Sequence, residues 1–429
     1  MLVDSSTTAQ KGPDVFVGIT NTPRDYSWGS ATAISELLGT PASGAPQAEL
    51  WLGAHPGSPS RIVDGLTPHG AQNLAEWISN DPHGSLGGYT QLPFLLKILA
   101  ADAPLSLQAH PTLERARQGF EAENAAGIAL DAPNRNYKDA LHKPEVIVAL
   151  SDTFDALCGF RPLAEVREIA ALLEDWQTDS DAAGSAVLAP FVSRALAGGD
   201  DAAVLRGLVE WLLGGSEETT ALVRKVSELA STHEPSTAGR YSASLQTVRE
   251  LATAYPGDAG IVMSLLLNRV TLSAGEALYL PAGNIHAYLK GLGVELMAAS
   301  DNVLRGGLTA KYIDVPELLS VLDFDPLPVP YIRPTFPSDG VEEFRPGVPD
   351  FVLVRIHTEL NERAAYRPDG PAIAICIEGS FEIHGERSDI TLERGQSVFI
   401  TPEEGAITFT GVGTVFVAAP GAPAENASR

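Results

Sequence analysis

Gln108 and His110 stand two positions apart in the run Ser106-Leu-Gln-Ala-His-Pro111. On a strand, residues i and i+2 share a face, so this pair could grip one ion from the wall of a sheet. Glu145 lies in His142-Lys-Pro-Glu145, and His286 ends the run Gly275-Glu-Ala-Leu-Tyr-Leu-Pro-Ala-Gly-Asn-Ile-His286. Two imidazoles, one carboxylate and one amide oxygen suit zinc or another borderline divalent metal. With only Cys158 and Cys376 in the chain, a fully thiolate structural site is excluded. Nitrogen and acid donors beside a replaceable position describe a catalytic zinc, one ion per chain. His142 is left outside this shell. His55, His69, His83, His233, His357 and His384 lack partners at ligand spacing.

The elements that must position these groups can be read from the pattern. Gly275, five further residues, Pro281, Gly283 and then His286 resemble the second motif of the cupin barrels, in which glycine and proline shape turns around a strand and aim the histidine inward. Phe94–Leu99 and Val146–Leu150 are apolar runs of strand length, and Asn73–Ser79 reads as helical. A further helix is expected from Pro111 through Glu123, with Pro111 at its first position.

Near residue 162 the period changes. Leu163, Val166, Ile169, Leu173 and Trp176 recur at helical spacing, as do Leu205, Leu208, Val209 and Leu212 before Gly214-Gly215. Ser216-Glu217-Glu218 is a helix start, and Leu245, Val248 and Leu251 mark another helix ended by Pro256. Strands are expected again at Ile261–Leu267 and Ala277–Leu280. A Pro-rich linker over Asp325–Pro337 then leads to alternating or short apolar runs at 352–356, 373–377, 397–401 and 414–418. The tail after Pro420 reads as frayed. One contiguous helical block argues against alternating βα units and for packed antiparallel sheets of jelly-roll type.

A chain of 429 residues predicts two or three domains. Its formal charge of −25, from 29 basic and 54 acidic residues, disfavours nucleic acid and anionic membranes. It also means that an anionic substrate needs a local basic pocket. Both cysteines read as reduced core thiols. Met1–Pro13 has no apolar segment of signal-peptide type, and no run approaches the ~20 apolar residues of a membrane span, so a cytoplasmic protein is expected.

Five segments carry a resemblance to the type I mannose-6-phosphate isomerases: Tyr26-Ser-Trp-Gly-Ser30, Ala48-Glu-Leu-Trp-Leu-Gly-Ala-His-Pro56, Leu105-Ser-Leu-Gln-Ala-His-Pro111, His142-Lys-Pro-Glu145 and Ser300-Asp-Asn-Val-Leu-Arg-Gly-Gly-Leu-Thr309. Leu141 and Ala310 depart from the family's usual asparagine and proline. The resemblance implies a mainly β chain with a helical insertion. Its parts would be a catalytic cupin domain (14–161 and 257–324), a helical domain (162–256) and a metal-free cupin-like domain (325–420). It also implies zinc-dependent interconversion of mannose 6-phosphate and fructose 6-phosphate through a cis-enediol. In that scheme Arg305 is the catalytic cation, and Lys143 and Glu295 are candidate bases beside His142. Ser106, Lys143 and Lys311 are candidate phosphate contacts and Lys97 a further one, while Trp28 and Glu49 line or brace the pocket. A monomer or weak homo-oligomer is expected to act on this small sugar phosphate. The competing readings are a metal-dependent cupin oxygenase, since two histidines and a carboxylate also suit non-haem iron, and a non-catalytic sugar-phosphate-binding cupin.

Overall fold

The computed structural model describes residues 16–63, 70–178 and 185–421. The Met1–Pro13 segment, His69 and the tail from 422 lie outside them. Among the described residues there are eleven α-helices and nineteen strands. The chain is therefore mixed rather than mainly β, because the helical block is joined by helices that flank the strands.

One antiparallel sheet is built around the strand His286–Ala298. Its C-terminal half pairs with Phe94–Ala101 and Glu145–Ala149. Its N-terminal half pairs with Leu107–Ala109 and Phe154–Phe160. The change of partners falls at an irregularity between Tyr288 and Lys290, next to Gly291 at φ +136°. A Cβ on Gly291 would stand 2.9 Å from the Phe154 backbone, so glycine permits both the bend and the close approach.

The other sheet runs in the order Thr335–Ser338, Val341–Phe344, Val352–Thr358, Ile407–Ala419, Ala372–His384, Ser397–Ile400, Phe16–Thr20 and Arg61–Ile62. Its seventh member is the first described strand of the chain, with Phe16 opposite Ile400 and Ile19 opposite Ser397. The sequence reading grouped that strand with the N-terminal β region, but its ladder hydrogen bonds are to the C-terminal one. Apolar side chains from both sheets, among them Leu50, Leu96, Val146, Leu353, Phe399 and Phe416, share one core. Each such side chain, fully buried, contributes about 1.5–3 kcal/mol.

The helices Leu163–Thr178, Ser185–Ala195, Asp201–Leu213, Glu217–Thr232 and Ser242–Ala254 follow one another. Asp200 and Ser216 cap two of them by accepting the N–H of Ala203 and Thr219; such caps contribute about 1 kcal/mol each. Their apolar faces pack on Leu107, Leu157 and Ala287 of the first sheet. Helical structure continues beyond Pro256: Gly260–Met263 is α-helix and Ser264–Leu266 a 3₁₀ turn, and the strand begins only at Leu267. The expected strand Ile261–Leu267 is thus corrected. A short, wholly buried apolar run carries no period that separates strand from helix. The helix after His110 spans Leu113–Ala125 and is capped by Thr112, which accepts the N–H of Arg115, so Pro111 precedes the cap. No described helix is long and apolar enough to cross a membrane.

Candidate active site

His286 and Gln108 lie opposite one another in one ladder, and Gln108 and Arg305 in the next. His110 follows the end of the Gln108 strand, and its carbonyl accepts the N–H of Gly283 at 2.9 Å. Gly283 has φ +81°, and a Cβ there would crowd Asp323 at 3.2 Å. The turn that glycine permits thus delivers His286 beside His110. Glu145 opens its strand opposite Met297 and Leu280.

Glu145 Oε2 is 3.4 Å from His110 Nε2 and 3.3 Å from His286 Nε2. The ligand atoms of all three residues lie within 4.8 Å of one another, and all three are buried. His110 Nδ1 donates to the carbonyl of Asn302 at 2.7 Å, and His286 Nδ1 to that of Asn284 at 3.1 Å. Each Nε2 is therefore left with its lone pair directed at Glu145. His110 Nε2 is buried without a hydrogen-bond partner. An orphaned imidazole nitrogen beside a second imidazole and a carboxylate fits a divalent cation. Burial pushes the His110 imidazolium down to about 4. Burial opposes the charge on Glu145, but Lys143 and the histidines outweigh it and hold the carboxyl well below the usual range. Lys143 Nζ lies 3.1 Å from Glu145 Oε1.

A cavity of about 630 Å³ lies beside this cluster. Trp28, Glu49, Lys97, Ser106, Gln108, Lys143, Arg305 and Lys311 all line it. Glu295 does not; it is buried behind Lys97, whose Nζ is 2.8 Å from Glu295 Oε2 and 3.5 Å from Glu49 Oε1. Burial disfavours the Lys97 ammonium, but Glu295, Glu49 and Glu145 overcome this and raise its pKa, so Lys97 is a fixed cation. Trp51 bonds Glu49 Oε2 through its indole N–H at 2.9 Å and has the Lys97 ammonium over its ring. Arg305 and Lys311 have no carboxylate partner among the described residues. Burial lowers the pKa of both, and in Lys311 the neighbouring Arg305 adds to the shift.

Tyr26, Trp51, Lys138, Tyr255, Asp301 and Thr309 also line the cavity and were not singled out in the sequence. Tyr26, Trp51, Asp301 and Thr309 belong to the motif segments. Tyr255 comes from the end of the helical block and is held by its hydroxyl on the Pro104 carbonyl at 2.7 Å; nothing local marks it. Asp301 pairs with His55 Nε2 at 3.0 Å. His142 does not line the cavity and meets Asp350, in the loop before the strand Val352–Thr358, at 2.8 Å.

A family model described as the catalytic domain of phosphomannose isomerase type I matches residues 16–163, and one described as the cupin domain of mannose-6-phosphate isomerase matches residues 347–420. The chain is 38% identical over 403 residues to a mannose-6-phosphate isomerase of Escherichia coli K12, covering 92% of this chain and 96% of that one. It is 32% identical over 415 residues to one of Homo sapiens, covering 89% and 92%. A crystal structure of a mutant phosphomannose isomerase from Salmonella typhimurium is similar with a TM-score of 0.82 at 35% identity, over 95% of this chain and all of that one (100%). A zinc-bound crystal structure of mannose 6-phosphate isomerase matches with a TM-score of 0.82 at 34% identity, over 95% and 100%.

Proposed function

The chain belongs to the type I phosphomannose isomerase family, and on that premise we propose that it interconverts mannose 6-phosphate and fructose 6-phosphate with one zinc ion. The observation that carries this reading is the buried His110–Glu145–His286 cluster beside a cavity that also presents Arg305 and Lys311, two cations without a carboxylate partner among the described residues. Gln108, His110, Glu145 and His286 would hold the zinc. When bound, the ion supplies Lewis-acid polarisation of sugar oxygens.

The rest of the chemistry belongs to side chains. Lys311, with the Ser106 hydroxyl, takes the phosphate as a point charge and a donor. Arg305 faces the oxyanion that develops when the C2 proton leaves. Lys143, the candidate base that lines the cavity, is assigned the transfer of that proton from C2 to C1, while the hydroxyl proton on O2 moves to O1. Lys97 is a second fixed cation, and Trp28 and Glu49 form the wall around it. Glu295 serves as a positioning residue that holds Lys97, because it does not line the cavity.

Each sheet is read as one cupin-like jelly roll. Residues 14–161 and 257–324 would form the catalytic one, 162–256 the helical insertion and 325–420 the second, to which Phe16–Thr20 is lent. Two buried thiols without a disulfide support a cytoplasmic setting. A monomer or weak homo-oligomer is the assembly proposed for it. No specific observation favours the oxygenase or the non-catalytic alternative. The test is conversion of mannose 6-phosphate to fructose 6-phosphate before and after chelation, then with zinc restored. Loss and recovery of turnover are expected; an inactive, folded, zinc-loaded protein overturns the assigned substrate.

A further inference from the structure

Two irregular stretches meet beneath the metal cluster. Residues 299–303 connect the strand His286–Ala298 to Leu304–Gly307, and residues 137–144 run into the strand that begins at Glu145. Neither stretch has a ladder to fix it, so its backbone groups need other partners. One side chain supplies many of them. Asn302 is fully buried, at 0% exposure. Its Oδ1 accepts the N–H of Lys138 at 2.7 Å and of Asp139 at 3.3 Å. Its Nδ2 donates to the carbonyls of Asp139 at 2.9 Å and Leu141 at 2.8 Å, and to Asp139 Oδ1 at 3.2 Å.

An amide has two donor hydrogens and one acceptor oxygen with two lone pairs, and all of that capacity is used here. A carboxylate of the same shape would turn an acceptor toward two carbonyls. An alanine would leave buried N–H and C=O groups without partners. The main chain of the same residue completes the link, because its carbonyl is the acceptor for His110 Nδ1 at 2.7 Å.

We infer that Asn302 is a positioning residue for the metal centre. Through its carbonyl it sets the ring orientation and tautomer of His110, and through its side chain it sets the path of the segment that delivers Lys143 and Glu145. This rests on the zinc reading of the site. No ladder holds residues 299–303, so the position of the carbonyl depends on the amide, together with Ser300 Oγ and the Asp301 N–H, which both donate to the Asp139 carboxylate at 2.8 Å. Loss of the amide therefore reaches two ligands at once. Arg305 follows Asn302 by three residues and shares the same anchored segment.

The experiment is zinc affinity of the full chain by competition with a chromophoric chelator, for the wild type, Asn302→Ala, Asn302→Ser and Glu404→Gln. Glu404 is a buried acceptor in the 3₁₀ turn Pro402–Glu404 after the strand Ser397–Ile400, bonded to Ser388 Oγ at 2.5 Å and to the N–H of Arg387 at 3.0 Å. Its variant controls for a general loss of stability, which thermal unfolding of the metal-free proteins records. Zinc binding is expected to weaken about 10- to 100-fold in Asn302→Ala. It should weaken less in Asn302→Ser, which keeps a hydroxyl and carries the test if the alanine variant does not fold. Glu404→Gln is expected to unfold earlier yet bind zinc as the wild type does. Folded Asn302 variants with affinity within twofold of a tightly binding wild type overturn the inference alone. The same holds if Glu404→Gln loses as much affinity as they do. A wild type that does not bind zinc overturns the inference together with the zinc reading.

Discussion

Arg305 lies directly opposite Gln108 in one ladder, and Gln108 lies opposite His286 in the next, so the proposed catalytic cation and two proposed metal ligands form a row across three strands. Strand separation, about 4.8 Å, sets the spacing along such a row. The guanidinium is thus carried by the same rigid frame as the metal donors, and no carboxylate among the described residues competes for it. Arg305→Ala is expected to lower kcat by about 10²–10³ while zinc content stays at the wild-type level. Steady-state kinetics with metal analysis of the same samples checks both halves. A variant that loses zinc in parallel would show Arg305 to be structural.

Lys311 has a different task, and its effect should fall elsewhere. A charge-assisted hydrogen bond contributes about 1.5–3 kcal/mol, which corresponds to roughly 10- to 100-fold in binding. Lys311→Ala is expected to raise KM for mannose 6-phosphate by that factor. Any turnover of unphosphorylated mannose should be left unchanged. A matched loss on both sugars would remove Lys311 from the phosphate site.

Lys97 and Glu295 form a buried pair at 2.8 Å, with Glu49 as the second acid at 3.5 Å. Breaking a buried pair leaves an uncompensated charge, whereas replacing both partners with apolar groups is far milder. Lys97→Met is expected to destabilise the protein by about 3 kcal/mol, and Lys97→Met with Glu295→Leu by clearly less. Urea unfolding midpoints for the two single variants and the double variant give the coupling. Additive losses would mean that the pair carries no shared energy.

Away from the cavity, Glu317 accepts hydrogen bonds from Arg115 and from the Tyr137 hydroxyl. Burial tends to raise its pKa, but these two donors outweigh it and the pKa is lowered from 4.5. A carboxyl with a depressed folded-state pKa stabilises the protein above its unfolded value and loses that contribution as pH falls through the folded one. Glu317→Gln is therefore expected to cost about 1 kcal/mol at pH 7, allowing for solvent screening at this part-exposed site. The gap to wild type should close as pH falls below 4.5. Thermal melts from pH 7 down to pH 3 report this; a gap constant with pH would rule out the proposed linkage.

The residues proposed as metal donors could be picked out in the sequence because their information is local. Gln108 and His110 stand two positions apart in one run, Gly275 through His286 is a continuous turn–strand–turn frame, and His142-Lys-Pro-Glu145 is a single short segment. The helical block was legible for the same reason: a period of 3.6 is visible within a dozen residues. The segment Ile261–Leu266 was misread because an apolar run buried on all sides has no period to show.

What tertiary structure alone decided concerns groups far apart in the chain. Lys97 meets Glu295 across 198 positions, and Ser397 Oγ donates to the carbonyl of Ile19 across 378. Tyr255 reaches the cavity wall from the helical block. Sequence alone named Lys97, Lys143 and Lys311 as candidate phosphate contacts and Arg305 as the catalytic cation. Only the fold showed that Lys97 and Lys143 have buried carboxylate partners, while Arg305 and Lys311 have none among the described residues. Side-chain type and spacing are inherited from the covalent chain. The partner that neutralises a charge depends on strand register between distant segments, and that register is set by burial of whole apolar faces rather than by any short motif.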